Sequence, residues 1–188
     1  MALTTLDANT ALIVVDLQKG VIGSSFIAPI AGVLEKARAL IDAFRAQGLP
    51  VGLVNVAGVA PGRTEQPRRL DGPLPEGFTD FVPELGRQAN DIVVTKRTWG
   101  AFASTDLESQ LKARGVTQVV IAGVATGTGV EATARQAYEA GFNVALALDA
   151  MTDLRPEAHD YSVKSVFPRL GETGTSQDII DRLAARSA

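Results

Sequence analysis

The stretch VVIAGVATGTGVEATARQAYEAGFNVALAL, residues 119–148, decides the fold. It opens with an apolar run, Val119–Ala122, that ends at Gly123, and closes with a second, Val144–Leu148, that ends at Asp149. Between them Val130, Ala134, Ala137 and Tyr138 recur at helical spacing until Gly141 stops the pattern, and Thr128-x-x-Glu131 reads as a capping box at the helix start. Continuous apolar runs of this length suit parallel strands buried on both faces. A helix joining two such strands forms a right-handed crossover unit.

The same grammar extends toward the amino terminus. Ala11–Val15 ends at Asp16, Val51–Val54 at Asn55, and Ile92–Thr95 at Lys96, so five strands are read in all. Val33, Leu34, Ala37, Leu40, Ile41 and Phe44 form one helix face, stopped by Gly48 and Pro50. Thr105-x-x-Glu108 reads as a second capping box, opening a short helix with Leu107 and Leu111 inward and Gly115 as its stop. A last helix is read near residues 176–184. Residues 59–86 fit least: the segment is rich in proline and glycine, carries Arg63, Arg68 and Arg69, and has too few apolar residues for a core element. A loop of this length is either a binding loop or lid, or a tolerated surface insertion. Strands alternating with helices give a three-layer α/β/α class with a parallel sheet, expected as a single domain over residues 1–188.

Composition removes whole classes of chemistry. The chain of 188 residues has no cysteine and one histidine, His159. That excludes a disulfide scaffold, a thiolate zinc site, an iron–sulfur cluster and a thiol nucleophile, and any metal site that needs two imidazoles. With 18 Lys+Arg against 21 Asp+Glu the net charge is −3, which provides no electrostatic footprint for nucleic acid or an anionic membrane. The start, MALTTLDANT, carries no signal-peptide pattern, and no apolar run approaches the roughly 20 residues of a membrane span, so a cytoplasmic location is expected.

In an open parallel sheet, ligands bind outside the carboxyl ends of the strands. Asp16, Asn55, Lys96, the 123–129 loop and Asp149 all fall on that edge. Asp16 closes a wholly apolar strand, where desolvation disfavours its ionised form and suits it to proton transfer; the plainer alternative is a cap for the next segment. Gln18 follows two residues later. Lys96 can hold a substrate oxygen or carboxylate, and Trp99 can form an apolar pocket wall, whereas most Lys-Arg pairs such as Lys96-Arg97 are solvated charges. The glycines and threonines of the 123–129 loop offer backbone N–H groups at a helix start, a cradle for an anion or oxyanion. Gly127-x-Gly129-x-x-Ala132 with Asp149 imitates a dinucleotide fingerprint, but the residues Gly123–Thr126 intervene where that motif requires a tight turn, and the chain left is too short for both halves of such a fold. His159 is expected at the surface, Asp149 as a loop or cap residue, and Arg68, Arg69 and Arg97 in solvent.

Four segments, ALIVVDLQKG at 11–20, VTKRTWGAF at 94–102, VVIAGVATGTGVEATARQAYEAGFNV at 119–144 and LALDAMTD at 146–153, together resemble the isochorismatase-like hydrolases, also called cysteine hydrolases. The resemblance covers nearly the whole chain. It implies a sheet of about six parallel strands, homodimers or homotetramers, a catalytic Asp and Lys at Asp16 and Lys96, and a non-proline cis peptide at Val124-Ala125 that orients backbone amides toward substrate. Substrate contacts are expected from Gln18, Asn55, Arg97, Trp99, Val124, Ala125 and Thr126. The departure lies at Gly129, where the amide-hydrolysing members place their nucleophilic cysteine; the tail FPRLGETGT resembles a branch with glycine there. The histidines of the metal-binding branch are missing too. What the resemblance leaves is vinyl-ether hydrolysis, with Asp16 as general acid, Lys96 on a substrate oxygen or carboxylate, and Gly129 leaving room. The expectation is a hydrolase of a small anionic molecule with no cofactor and no metal. The alternative is a catalytically silent member that binds a small ligand or serves as a subunit.

Overall fold

Strands β1 (Thr10–Val15), β2 (Val51–Val56), β3 (Ile92–Lys96), β4 (Gln118–Val124), β5 (Asn143–Thr152) and β6 (Glu172–Gly174) form one parallel sheet in the computed structural model, in the order β3-β2-β1-β4-β5-β6. The structure describes residues 3–66 and 72–186. β1, β2 and β4 are buried at every position, which is why their sequences are apolar without alternation. β6 went unread because a three-residue edge strand of Glu-Thr-Gly has no apolar run to betray it; it pairs with β5 from Ala145↔Glu172 to Ala147↔Gly174.

The helices are α1 (Lys19–Ile22), α2 (Ile30–Ala46), α3 (Leu107–Ala113), α4 (Glu131–Glu139), α5 (Pro156–Tyr161), α6 (Phe167–Leu170) and α7 (Ser176–Ala184). Alternate residues of β1 serve opposite layers. Leu12 and Val14 pack with Leu40, Ile41 and Phe44 of α2 and Ile179 and Leu183 of α7. Ile13 and Val15 pack with Leu107 and Leu111 of α3, Ala134 and Ala137 of α4, and Phe167 of α6. The six apolar residues read on the α2 face are all buried.

Neither expected capping box forms. Thr105 Oγ1 accepts from Leu107 N at 3.1 Å, so α3 starts later than read, and Glu108 pairs with Lys112. Thr128 lies inside a π turn, Thr126–Val130, and Glu131 pairs with Arg135 at 2.9 Å. The box that does form opens α7: Thr175 and Asp178 bond each other reciprocally, with Asp in the place usually held by Glu or Gln.

The long segment after β2 is anchored at its far end. Gly20 N donates to Phe78 O, Lys19 N to Asp80 O, and Gln18 bridges to Phe81, so residues 78–81 lie along the start of α1. A 3-10 turn, Pro83–Leu85, leads on toward β3. Arg63 is exposed, while Arg68 and Arg69 lie outside the described residues. Among the described residues no helix is long and apolar enough to cross a membrane.

Two glycines separate backbone conformation from crowding. Gly141 has φ of 87° with open space where a Cβ would stand, whereas Gly123 has φ of 115° and its Cβ would lie 2.1 Å from Val15 O. Gly141→Ala is expected to lower unfolding free energy by about 1 kcal/mol and Gly123→Ala by about 3 kcal/mol or more, read by urea denaturation. Equal losses would show that β4 does not approach β1 this closely.

Candidate active site

Asp16 is the first residue beyond β1, and Lys96 is the last of β3, with β2 lying between the two strands. The lysine reaches across the end of β2, and its Nζ donates to Asp16 Oδ2 at 2.8 Å and to Thr98 O at 3.2 Å. Both residues are buried, Asp16 at 6% exposure and Lys96 at 2%. Asp16 has φ of 53°, a left-handed conformation that Asp tolerates better than most residues.

Burial pushes the Asp16 carboxyl up to about 6, against the opposing pull of the Lys96 charge and hydrogen bond. Desolvation therefore wins over the neighbouring cation. Asp16 Oδ1 is buried and has no hydrogen-bond partner among the described residues. Because Oδ2 is taken by Lys96, Oδ1 is the oxygen free to take up a proton. A buried carboxyl of this kind can deliver a proton near neutral pH, and the adjacent ammonium then compensates the charge left behind.

β4 lies beside β1, and the Val124-Ala125 peptide that follows it is cis. The π turn then carries buried Gly129 against Asp16. A Cβ on Gly129 would stand 3.1 Å from Asp16 Oδ2 and 2.9 Å from Val124 O. There is no empty slot for a side chain, because the Val124 carbonyl occupies its approach. Thr133 Oγ1 holds Gly129 O at 2.7 Å and accepts from Ala101 N at 3.2 Å, tying the turn to the loop after β3.

The other expected contacts divide. Asn55 is buried; its Nδ2 donates to Thr79 O at 2.8 Å, and its Oδ1 has no partner among the described residues. Gln18 is fully buried, but its amide bonds Val56 N, Val56 O and Phe78 O, so its polar atoms serve the backbone rather than a ligand. Trp99 is 64% exposed. Arg97 is exposed with Nη1 3.3 Å from Ala57 O. Asp149 accepts from Ser176 N and Oγ at the start of α7, a capping role.

Two residues that sequence reasoning set aside or missed touch the π turn. His159 Nδ1 lies 2.9 Å from Thr126 Oγ1, so this histidine is not a free surface residue. Asp153 Oδ2 accepts from Gly127 N at 2.6 Å. Its place at the end of β5 was the available signal. A cavity of about 420 Å³ lies at the opposite edge of the sheet, lined in part by Asn9, Arg45, Ile92 and Arg114, away from this chemistry. Among the described residues no group of three or more histidines, cysteines, aspartates or glutamates could hold a metal ion.

Residues 10–178 match the isochorismatase domain. An uncharacterized isochorismatase family protein of Bacillus subtilis is 37% identical, over 93% of this chain and 94% of its own length. A ureidoacrylate amidohydrolase of Stutzerimonas stutzeri is 29% identical, over 85% of this chain and 78% of its own. The structure of an isochorismatase family protein from Burkholderia thailandensis superposes with a TM-score of 0.91 at 37% identity, covering 96% of this chain and 98% of that one.

The raised carboxyl makes stability depend on pH. The folded value of about 6 exceeds the ordinary 3.8, so the folded chain binds this proton more tightly than the unfolded chain. The contribution is full below the ordinary value and is lost as pH rises through the folded one. Between pH 4 and pH 7 the stability of the native chain relative to Asp16→Asn is expected to fall by an amount on the order of 3 kcal/mol. Parallel urea unfolding of both proteins across that range reads it; parallel profiles would mean an ordinary, solvated Asp16.

Proposed function

Because the chain belongs to the isochorismatase family, we propose that it is a hydrolase of a small anionic molecule that works without a thiol, by acid-catalysed cleavage of a vinyl ether. One observation carries the reading: a buried Asp16 with Oδ2 held by Lys96 and Oδ1 left without a partner among the described residues. In the reaction, Oδ1 gives its proton to the terminal enol carbon. The double-bond electrons form the new C–H bond and leave an oxocarbenium ion, water adds to that ion and gives up a proton that returns to Asp16, and the hemiketal collapses to a ketone and an alcohol. One water is consumed. Lys96 steadies the Asp16 carboxylate once its proton has left, and its remaining N–H can hold an oxygen of the substrate. Gly129 stands where the resemblance puts cysteine, and the Val124 carbonyl fills the approach a side chain would need.

The same reading includes a cytoplasmic location and a homodimer or homotetramer. The exposed aromatics Trp99, Tyr138 and Tyr161 supply apolar surface for assembly.

Purified protein is expected to hydrolyse isochorismate or another member of a vinyl-ether panel, with kcat/KM falling as pH rises through about 6, where the acid form of Asp16 is depleted. Asp16→Asn is expected to lower kcat/KM at least about a hundredfold. If vinyl ethers and amides, ureidoacrylate among them, are all left untouched, the catalytic reading fails and a ligand-binding or subunit role replaces it.

Gly129→Cys provides a separate check. Its Cβ would meet Val124 O at 2.9 Å. The variant is expected to gain no amide hydrolysis and to lose about 1–3 kcal/mol of stability, read by amide turnover and urea unfolding. Appearance of amidase activity would mean that the missing thiol alone separates the two chemistries.

A further inference from the structure

The turn that carries Gly129 is held from outside by the segment that follows β5. Three contacts do this. Gly127 N donates to Asp153 Oδ2 at 2.6 Å, Thr126 Oγ1 lies 2.9 Å from His159 Nδ1 on α5, and Ser162 Oγ donates to Glu131 Oε2 at 2.6 Å. They meet the turn at its first two residues and just past its last. Packing closes the same contact, since a Cβ on Gly127 would stand 3.1 Å from Ala158 Cβ.

The Thr126–His159 contact differs from the other two. Thr126 is fully buried, and the imidazole is the hydrogen-bond partner of its hydroxyl. Without His159 that hydroxyl is left in a dry site at the point where the chain enters the turn. The turn is wide: Val130 N donates to Ala125 O at 3.1 Å, a reach of five residues. Such turns carry an extra residue and often occur at functional sites. A change at Thr126 is passed along this short turn to Gly129, whose missing Cβ lies 3.1 Å from Asp16 Oδ2.

We propose that His159 is a positioning residue: its Nδ1, through Thr126 Oγ1, fixes the Thr126–Val130 turn and hence the distance of Gly129 from Asp16. The proposal rests on the reading of Asp16 and Gly129 as parts of one site. Asp153 binds the turn at Gly127 and Glu131 is held just past its end, while Asp160, beside His159 on α5, pairs with Lys164. None of them replaces the bond to Thr126.

The test reads the turn itself in the full chain, so it can fail independently of any activity. Amide hydrogen exchange is measured in the native protein, His159→Leu, His159→Asn and Thr126→Val. Asn places an amide group near the position of Nδ1, and Thr126→Val removes the hydroxyl at nearly constant volume. His159→Leu and Thr126→Val are expected to speed exchange at Gly127, Thr128 and Val130 by about tenfold, with β1 unchanged and His159→Asn restoring near-native rates. As the chain's one histidine, His159 also gives isolated ring ¹⁵N signals, and its Nδ1 signal is expected to move in Thr126→Val. Unchanged exchange in the turn, a uniform rise across all amides, or failure of His159→Asn to restore the turn would each overturn the proposal.

Discussion

The Asp16–Lys96 ion pair is the constraint around which the carboxyl edge of the sheet is arranged. Removing two charges from water costs several kcal/mol per ion, and the interaction is sustained only where the geometry is held tightly. Here the holding is done by strand direction. β1 and β3 run parallel with β2 between them, so both side chains emerge at the same edge, and the long lysine stem covers the width of the intervening strand. β4 completes the arrangement from the other side, since the turn after it closes on Asp16 through Gly129.

Three neighbouring groups relieve polar demands at that edge without adding charge. The Gln18 amide satisfies the backbone of Val56 and Phe78, and Asn55 Nδ2 donates to Thr79 O, so neutral bonds hold the long segment after β2 at the site, with the exposed Lys19–Asp80 pair farther out. Thr133 links Gly129 O to the loop after β3. A dry surround is what allows burial to raise the Asp16 carboxyl despite the lysine beside it. A solvated edge would leave the lysine's effect dominant and the acid fully ionised at neutral pH.

Much of this was legible in the sequence because buried parallel strands write themselves as apolar runs, and each run ends on the edge where ligands bind. The runs ending at Asp16 and Lys96 place those residues at strand ends, whereas β2 runs one residue past Asn55, to Val56. What escaped was whatever depended on local hydrogen-bond choice. Thr128 and Glu131 match a capping box, but the chain widens into a π turn there, and the pattern of residue types does not distinguish the two. Asp178 makes the real box with a residue outside the usual pattern. His159 reads as a polar residue on a short exposed helix; its bond to Thr126 joins segments 33 residues apart, which no local window contains. Gln18 lies two residues past Asp16, and its side chain turns to the backbone of Val56 and Phe78.

The Val124 carbonyl decides what an exchange at 129 would demand. With glycine there, that oxygen stands 2.9 Å from where a Cβ would be. Any side chain added at 129 meets main chain, which no rotamer can move. Such an exchange therefore needs a backbone shift in the turn, so position 129 is tied to its neighbours and is not varied alone.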